Sequence, residues 1–481
     1  MTGRTEHDRA VHVADVASRF DDLTAEGQKA ALELLLEQGP RFGVFPLTAA
    51  QHRLWFSTKM TEDLPLYNVP FAFRLAGELN ASALRHAIGE LIRRHEMLRA
   101  VFFDIAGEPF QAVLPTMAVP LQVRSWQPAN ATALVALVDA EAAAPFDLRH
   151  GPLIRVTLLT DGRQEHVFLI TLHHIVCDGW SMAIIFRELG EFYRAFCERR
   201  PPGLAPLPGR FFEVAGRQEA GERTDRAGLL RYWRAQLAGA PYLLTLTGDW
   251  PRPVVAAHLG SQVVFGWRAE LRDAVELFAA ARQTTVFVTI LAAFAAVLHR
   301  YTGQEDILIG VPAAGRSTLD AEDLVGFFVN TLALRLRLSA AVSFSELLGQ
   351  AREVTLTAQA HQDLPFEILV ESLQIPRTPS YHPLVQVFFI VQEAESEVLR
   401  LPGLSCETVQ GHTGTSKFDL TLSLVASPHG FRGVAEYDTG LFGQERVERI
   451  IADLLALLTL AIADPEQSIG SLPLADRQVG R

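Results

Sequence analysis

The sequence has only three cysteines among its 481 residues, Cys177, Cys197 and Cys406. So few cysteines exclude a disulfide scaffold, which small secreted domains use to compensate for a limited core. Free thiols are typical of a reducing compartment, so we expect the protein to be cytoplasmic.

An excess of positive charge is also missing. The chain has 43 lysines and arginines against 55 aspartates and glutamates, which gives a formal net charge of −12. A nucleic-acid-binding protein needs a basic face against the phosphate backbone. We therefore exclude nucleic acid as a partner.

Long hydrophobic runs are absent as well. The longest uncharged apolar run, Thr284–Leu298, falls short of the ~20 residues that span a bilayer, and its alanines and aromatics favour a buried helix. The N-terminal residues carry charges, but no apolar segment follows them. No signal peptide and no membrane partner are therefore predicted.

What the sequence does contain is enough apolar surface for a large core, since hydrophobic residues make up 49% of the chain and charged residues 20%. At ~150 residues per domain the length suggests roughly three domains, and two large lobes fit equally well. Four prolines between Arg199 and Arg210 predict a connection between two halves. We expect a lead-in or docking segment at 1–43 with two short helices, an N-terminal lobe at 44–209, a C-terminal lobe at 210–468 and a linker remnant at 469–481.

Both halves alternate helical and strand patterns. Asn80 precedes apolar residues at helical spacing and predicts a capped amphipathic helix. A run of β-forming residues over 166–172 predicts a buried strand. In the second half we predict helices over 269–282, 287–301 and 444–462, and a strand over 306–311. This alternation is typical of an α/β or α+β protein built from two-layer sandwiches.

The strand over 166–172 runs directly into His173-His174-Ile175-Val176-Cys177-Asp178-Gly179-Trp180-Ser181. Neighbouring side chains of a strand point to opposite faces, so His173 and His174 cannot both converge on one zinc ion, and no metal site is predicted. One imidazole is instead available for proton transfer near neutral pH, while the other is held inward by a hydrogen bond. The alternative is a buried histidine pair followed by an ordinary Asp-Gly turn.

This string resembles the His-His-x-x-x-Asp-Gly motif of condensation domains from nonribosomal peptide synthetases. Other segments resemble further motifs of that family and occur in the family's order, across most of the chain. These segments are Leu47–Trp55, Arg94–Arg99, Ile309–Arg316 with Val325–Thr331, His361–Glu367 and Ser416–Leu420.

Two segments depart from the family pattern. Phe211–Gly216 lacks the usual aromatic-acid pattern ending in tryptophan, and His382–Val387 has a histidine and a valine where asparagine and phenylalanine are common. Neither lies in the histidine loop. Trp180-Ser181-Met182 and Ser416–Asp419 are most similar to members that join an L-configured donor to an L-configured acceptor.

The resemblance implies two chloramphenicol-acetyltransferase-like lobes that form a pseudo-dimer with a central tunnel. It implies an acyltransferase that forms an amide between a donor thioester and an acceptor aminoacyl amine. Donor and acceptor carrier proteins would each present a substrate on phosphopantetheine, so the domain itself would bind no cofactor. Adenylation or other synthetase domains are further candidate partners, in the biosynthesis of a secondary metabolite such as an antibiotic or a siderophore.

By motif match, His174 is the active-site histidine and His173 orients the loop. Asp178 is expected to be structural and to pair with one of three arginines from other motifs. Gly179 lets the backbone approach the substrate and offers nearby N–H groups to an oxyanion. The candidate arginines are Arg94, Arg99 and Arg316.

Three further residues are predicted to contact substrate in the tunnel, namely Trp180, Ser181 and Asn330. For Asn330 a strand-end cap is an equal alternative. Cys177 occupies a variable position of the motif, and we expect a buried apolar filler there rather than a nucleophile.

Two other functions stay open. An acyltransferase that forms an ester or amide from a carrier-protein or coenzyme A thioester shares the His-x-x-x-Asp core, although plant-type members carry an Asp-Phe-Gly-Trp-Gly motif that this sequence lacks. A non-catalytic recruitment domain has a similar fold, but such relatives lose the histidine motif. Because carrier proteins are generally acidic, local arginines must attract them to this acidic chain. The candidates are Arg187, Arg194, Arg199 and Arg200.

Overall fold

The computed structural model describes residues 43–61, 64–105, 107–126, 131–162, 164–220, 225–376, 378–393 and 399–475. The two helices predicted in the lead-in segment lie outside these ranges. The described residues form two compact units. The first contains those within Met1–Arg223, Arg316–Val329 and Glu395–Thr413, and the second those within Thr224–Gly315, Asn330–Ala394 and Gly414–Arg481.

The strands form three sheets. In chain order the strands are β1 (Val44–Pro46), β2 (Asn68–Ala76), β3 (Ala100–Ile105), β4 (Glu108–Val113), β5 (Gln122–Ser125), β6 (Ile154–Thr160), β7 (Glu165–His173), β8 (Gly260–Arg268), β9 (Asp306–Ala313), β10 (Asn330–Arg337), β11 (Val387–Glu393), β12 (Ser405–Val409), β13 (Leu420–Ser427) and β14 (Gly430–Asp438). In the first unit a five-stranded sheet has the order β12-β2-β7-β6-β5 and a three-stranded sheet has the order β1-β4-β3. In the second unit a six-stranded sheet has the order β10-β9-β11-β13-β14-β8.

Several helices begin at a residue whose side chain caps the first turn. Thr48 and Gln51 form a capping box at the first helix, and the predicted cap of the second is confirmed because Asn80 accepts the Ala83 N–H at 3.0 Å. In chain order the helices are α1 (Ala49–Met60), α2 (Ala81–Arg94), α3 (Ala131–Ala143), α4 (Gly179–Glu198), α5 (Phe211–Ala220), α6 (Arg226–Leu237), α7 (Ala269–Ala281), α8 (Val286–Thr302), α9 (Phe344–Ala360), α10 (Phe366–Ser372) and α11 (Gln444–Ala463).

In the first unit, β7 is buried on both faces, which explains its uninterrupted apolar sequence. Phe168 and Ile170 pack with the apolar sides of α2 and α4. Val167 and Leu169 point the other way and pack with Leu134 and the rest of the apolar side of α3. The alternation of a strand thus sends successive residues into two separate hydrophobic clusters.

In the second unit, α8 lies at the centre of the core. Every residue from Val288 to Leu298 is buried, and the helix packs with α7, α9 and α11. The helices and the strand predicted for this half are confirmed as α7, α8, α11 and β9, with ends that differ by at most two residues.

The units divide differently from the predicted lobe boundaries. The proline-rich stretch and α5 both belong to the first unit, and two later segments return to it. Phe211 of α5 packs edge-on against Phe328 at 4.8 Å between ring centroids, and β12 pairs with β2. Ile469 and Leu472, predicted to belong to a linker remnant, are fully buried in the second unit. Such long-range contacts leave no local pattern in the sequence.

The predicted α/β fold class is confirmed, since each unit combines sheets with helices packed against them. Within the described ranges, no single helix is long and apolar enough to cross a membrane. Helices α7 and α8, bent by 104° at the break between them, meet that criterion only as a pair.

Candidate active site

The histidine pair lies where β7 ends. His173 is the last residue of the strand and is the register partner of Asn68 on β2. His174 opens a single 3-10 turn, His174–Val176, and α4 begins three residues later at Gly179. The change from strand to turn rotates the second imidazole away from the first, so the two side chains have different surroundings.

His174 is half-buried and is held on both its backbone and its ring. Its N–H donates to the Tyr67 carbonyl at 2.8 Å, and its Nδ1 lies 2.6 Å from the Cys177 carbonyl oxygen. A carbonyl can only accept, so Nδ1 carries a proton, and when the ring is neutral the lone pair is on Nε2. The Phe327 ring meets the imidazole edge-on at 5.0 Å between centroids.

His173 is buried, with 3% of its surface exposed. Its Nδ1 accepts the Ile175 N–H at 3.2 Å, and the rings of Tyr67 and Phe146 pack against it. The prediction that one imidazole is held inward by a hydrogen bond is therefore confirmed.

Two residues that the sequence analysis did not single out support the His173 pocket. Asn68 Nδ2 donates to the Ala142 and Ala144 carbonyls at 2.7 and 2.8 Å. The Arg155 guanidinium donates to the Pro145 carbonyl at 2.9 Å and stacks on the Phe146 ring at 3.9 Å. Together Asn68 and Arg155 fix the segment that follows α3. They thereby fix the Phe146 ring, which packs against His173.

Asp178 is the N-cap of α4 and is almost fully buried. Its carboxylate accepts the Ser181 N–H at 2.8 Å, the Ser181 hydroxyl at 2.7 Å and the Phe328 N–H at 3.0 Å. It also accepts two donors of Arg316, Nη1 at 2.9 Å and Nη2 at 3.2 Å. Five donors thus converge on one carboxylate, which ties the start of α4 to the segment over 316–329.

Arg316 is as deeply buried as its partner, with 1% of its side chain exposed against 2% for Asp178. Its Nη2 also donates to the Leu324 carbonyl at 3.0 Å, and its guanidinium lies over the Phe328 ring at 4.4 Å and the Trp180 ring at 5.8 Å. The predicted pairing of Asp178 with an arginine from another motif is confirmed, and Arg316 is that arginine.

The other two candidate arginines have other partners. Arg94 donates to the buried Glu188 carboxylate at 2.9 Å, and the His95 ring contacts the same carboxylate at 2.8 Å. Arg99 donates to the Ile92 carbonyl at 3.1 Å and to the Leu114 carbonyl. Neither arginine therefore contacts Asp178 directly, because Arg94 binds a carboxylate further along α4 and Arg99 binds backbone carbonyls.

The residues predicted to contact substrate make internal hydrogen bonds. Trp180 is half exposed and donates its indole N–H to the Glu322 carbonyl at 2.9 Å. Ser181 is fully buried. In the second unit, Asn330 Nδ2 donates to the Gln362 and Leu364 carbonyls at 2.7 Å, which is the strand-end capping alternative. Substrate contact by these residues stays a prediction.

Cys177 is fully buried, and its thiol lies 3.7 Å from the His173 carbonyl oxygen. This confirms the expected apolar filler. Among the described residues, no group of three or more histidine, cysteine, aspartate or glutamate side chains is placed to hold a metal ion.

Comparison with known proteins identifies the family. A family model described as the condensation domain matches residues 42–479. The chain is 42% identical over 437 residues to one of the subunits of linear gramicidin synthase from Brevibacillus parabrevis, and the match covers 89% of this chain and 9% of that protein. It is 40% identical over 440 residues to phosphinothricin tripeptide synthetase PhsB of Streptomyces viridochromogenes, where the match covers 90% and 37%. The chain thus spans less than half the length of either relative.

Solved structures give the same fold. The X-domain from teicoplanin biosynthesis is 28% identical with a TM-score of 0.80, covering 89% of this chain and 97% of that one. The first condensation domain of the calcium-dependent antibiotic synthetase, in complex with a substrate analogue, is 23% identical with a TM-score of 0.79, covering 90% and 99%.

The family's reaction is the formation of an amide bond between substrates tethered to carrier proteins through phosphopantetheine. A family match over most of the chain, relatives that are peptide synthetases and an intact histidine loop all agree. The chain belongs to the condensation-domain family of nonribosomal peptide synthetases.

Proposed function

We propose that this chain joins a donor acyl or aminoacyl thioester to the amine of an acceptor aminoacyl thioester, each presented on phosphopantetheine by a partner carrier protein. The observation that carries the proposal is the His174 tautomer. The Cys177 carbonyl oxygen lies 2.6 Å from Nδ1 and so holds a proton on that nitrogen. The neutral ring therefore keeps its lone pair on Nε2, where it can accept a proton from an attacking amine.

The reaction asks little of His174 as a base. An α-amino group titrates near ~7.7–8.0, so a fair fraction is already neutral at pH 7. Orientation of two tethered reactants supplies the larger gain, since effective molarity contributes roughly 7–11 kcal/mol in well-oriented systems. We infer that His174 hydrogen-bonds the amine and removes its proton as the tetrahedral species forms.

The proposed step balances without any further reactant. The amine nitrogen forms a bond to the donor carbonyl carbon, and the proton that leaves the nitrogen moves to His174 Nε2. When the carbon–sulfur bond breaks, the same proton passes to the thiolate of the departing phosphopantetheine. The products are an amide on the acceptor carrier and a free thiol on the donor carrier.

The start of α4 offers a candidate site for the oxyanion. The Asp178 side chain takes the N–H of Ser181, whereas the N–H groups of Gly179 and Trp180 are at positions that helices leave without intrahelical acceptors. A helix N-terminus also favours negative charge. These two donors are therefore our candidates for stabilising the tetrahedral oxygen.

Arginines in and just after α4 were predicted to dock the carrier proteins, and their ion pairs qualify that hypothesis. Arg187 pairs with Asp323, Arg194 with Glu191, and Arg200 with Glu191 and Glu198. These ion pairs offset the positive charge that was expected to attract an acidic partner. Carrier docking at this helix stays a prediction, and these carboxylates must be considered along with the arginines.

The test is a reconstituted reaction with a loaded donor carrier, a loaded acceptor carrier and this chain, followed by mass spectrometry of the acceptor. We expect an amide-linked product that depends on both carriers. Replacing the donor carrier with the same acyl group on coenzyme A distinguishes the acyltransferase alternative. A hydroxyl acceptor tests ester formation, where His174 would matter more because a hydroxyl must lose its proton during attack.

A second candidate is a recruitment domain. The likeness to the X-domain from teicoplanin biosynthesis favours it, because that domain has also been solved in complex with OxyB. The intact loop from His173 to Gly179 favours catalysis instead. Binding of a partner enzyme together with no amide product from any carrier pair would favour recruitment.

A further inference from the structure

Gln51 has no role in the reaction described above, yet it is completely buried beside the histidine loop. It lies in the first turn of α1, within the first of the family-like motifs, and none of its surface is exposed. A buried amide must satisfy two donor sites and an acceptor oxygen, so each of its contacts can be accounted for.

Two of these contacts pair Gln51 with Gln111 of β4, and Gln111 is itself only 1% exposed. Gln51 Nε2 donates to Gln111 Oε1 at 3.0 Å, and Gln111 Nε2 donates back to Gln51 Oε1 at 2.9 Å. The Thr48 N–H donates to Gln51 Oε1 at 3.1 Å, and Gln111 Nε2 donates to the Pro46 carbonyl at 2.9 Å. Because a backbone N–H only donates and a carbonyl only accepts, the orientation of both amides is fixed.

The remaining donor of the pair reaches the active site. Gln51 Nε2 donates to the Ile175 carbonyl at 3.3 Å, across 124 positions of the sequence. Ile175 is fully buried and is the middle residue of the turn that His174 opens. An unpaired buried carbonyl is unfavourable, so this bond selects one orientation of the peptide that follows Ile175.

That peptide orientation bears directly on His174. The ring is held through the Cys177 carbonyl, two residues beyond Ile175. The backbone of the turn is closed by a hydrogen bond from the Cys177 N–H to the His174 carbonyl at 3.1 Å. A turn this short takes its shape from contacts outside it. If the Ile175 peptide rotates, the Cys177 carbonyl moves with it, and the bond that fixes the imidazole tautomer weakens.

We propose that Gln51 is a positioning residue for catalysis: its side-chain amide, held by Gln111, fixes the turn that sets the orientation and tautomer of His174. This inference rests on the proposed function for its kinetic consequence. Its structural consequence, the state of the His174 ring, can be measured whether or not the chain turns over.

The first test replaces Gln51 with methionine, which keeps the length and helix propensity of the side chain but removes both the amide donor and the amide acceptor. Since small misplacements of reacting groups are costly, we expect kcat to fall roughly 10- to 100-fold with KM nearly unchanged. The matched control is Gln386→Met in the second unit. Gln386 is also buried, and its amide binds backbone groups of Tyr242, His382 and Leu244. We expect the Gln386→Met variant to lose about as much thermal stability as the Gln51→Met variant while retaining the wild-type kcat.

The second test reads the ring itself. In NMR spectra of protein labelled with 15N at histidine, the His174 signals are assigned by their loss in a His174→Asn variant. The His174 ring of the wild type should show a protonated Nδ1 and an unprotonated Nε2. Gln51→Met should give a mixture of tautomers, and Gln386→Met the wild-type pattern. If Gln51→Met does not fold, Gln51→Glu keeps the shape and one acceptor oxygen and, when ionised, replaces the donor with a second, negatively charged oxygen.

The outcomes separate the two claims. An unchanged kcat and an unchanged His174 tautomer in the Gln51 variant overturn the positioning role. Equal losses of kcat in the Gln51 and Gln386 variants also overturn it, because they indicate a general loss of stability. A wild-type protein that forms no amide refutes the proposed function, while the spectra still decide whether Gln51 orients His174.

Discussion

Replacing Asp178 with asparagine should destabilise the first unit by about 3–5 kcal/mol, because the change leaves the Arg316 guanidinium buried without its counter-ion. The side chains of both residues are at most 2% exposed, so water cannot replace the lost charge. Asparagine also turns a donor towards a site that presents donors: the Ser181 N–H and hydroxyl, the Phe328 N–H and two N–H groups of Arg316. The same change should reduce activity, since Asp178 caps α4 and directly follows the turn that holds His174.

Hydrogen exchange of the backbone amides in β7 and α4 measures this loss of stability within the first unit. The quantity compared between wild type and variant is the free energy of local opening. The matched control is Asp323→Asn, which removes a carboxylate that pairs with Arg187 at 2.9 Å while both side chains are more than half exposed. Exposed pairs contribute about 0–1 kcal/mol, so the control should have little effect.

A double variant provides the refutation. Arg316→Met removes the orphaned charge and places an apolar side chain between the rings of Phe328 and Trp180. Adding it to Asp178→Asn should recover part of the loss, with a coupling of about 1–3 kcal/mol. Strictly additive losses, or a single Asp178→Asn variant as stable as the Asp323→Asn control, would show that the ion pair does not hold the loop.

Two further variants test the packing and the electrostatics of the units. A side chain at Gly326 would collide with the Phe211 ring, so Gly326→Ala should cost about 1–3 kcal/mol of stability in a thermal melt. Gly216→Ala, at an open position of α5, is the control and should be neutral or stabilising. Equal effects of the two substitutions would contradict the close approach of Gly326 to the Phe211 ring. Burial raises the pKa of Asp438, and its folded-state pKa therefore lies above the ordinary value of ~3.9. The stability that protonated Asp438 contributes is fully present below the ordinary pKa. It is lost as the pH rises through the raised folded-state pKa, because the charged carboxylate is disfavoured only in the folded state. Asp438→Asn should therefore gain stability relative to wild type as pH rises from about 4 to about 7, and a urea-midpoint difference that does not change with pH would rule this out.

Much of the catalytic loop could be predicted from the sequence because its determinants are local or motif-bound. The opposite faces of adjacent strand residues correctly gave His173 and His174 different surroundings. The ordered motifs gave three candidate arginine partners for Asp178, Arg316 among them. The choice among the three could not be made from the sequence, because it depends on where the fold places residues 316–329. The Phe328 N–H could not be anticipated, because a backbone donor has the same chemistry at every position.

The same distinction applies to the fold. Asn80 and the apolar spacing after it predict α2 because capping and amphipathicity act within one turn. The return of β12 to the sheet of the first unit was not predicted, since the pairing of strands so distant in sequence is decided by the whole fold. Gln51 illustrates both cases. Its motif could be recognised in the sequence, but its hydrogen bond to the Ile175 carbonyl depends on the tertiary fold and could not be predicted.

The central claim is that His174 accepts the proton of the attacking amine on Nε2. The most direct measurement compares wild type with His174→Ala on loaded donor and acceptor carriers, with mass spectrometry of the amide product and with amine and hydroxyl acceptors in parallel. We predict a loss of roughly 10²–10⁴-fold for the hydroxyl acceptor and a smaller loss for the amine, which is partly neutral without help. Unchanged turnover on both acceptors would contradict the account.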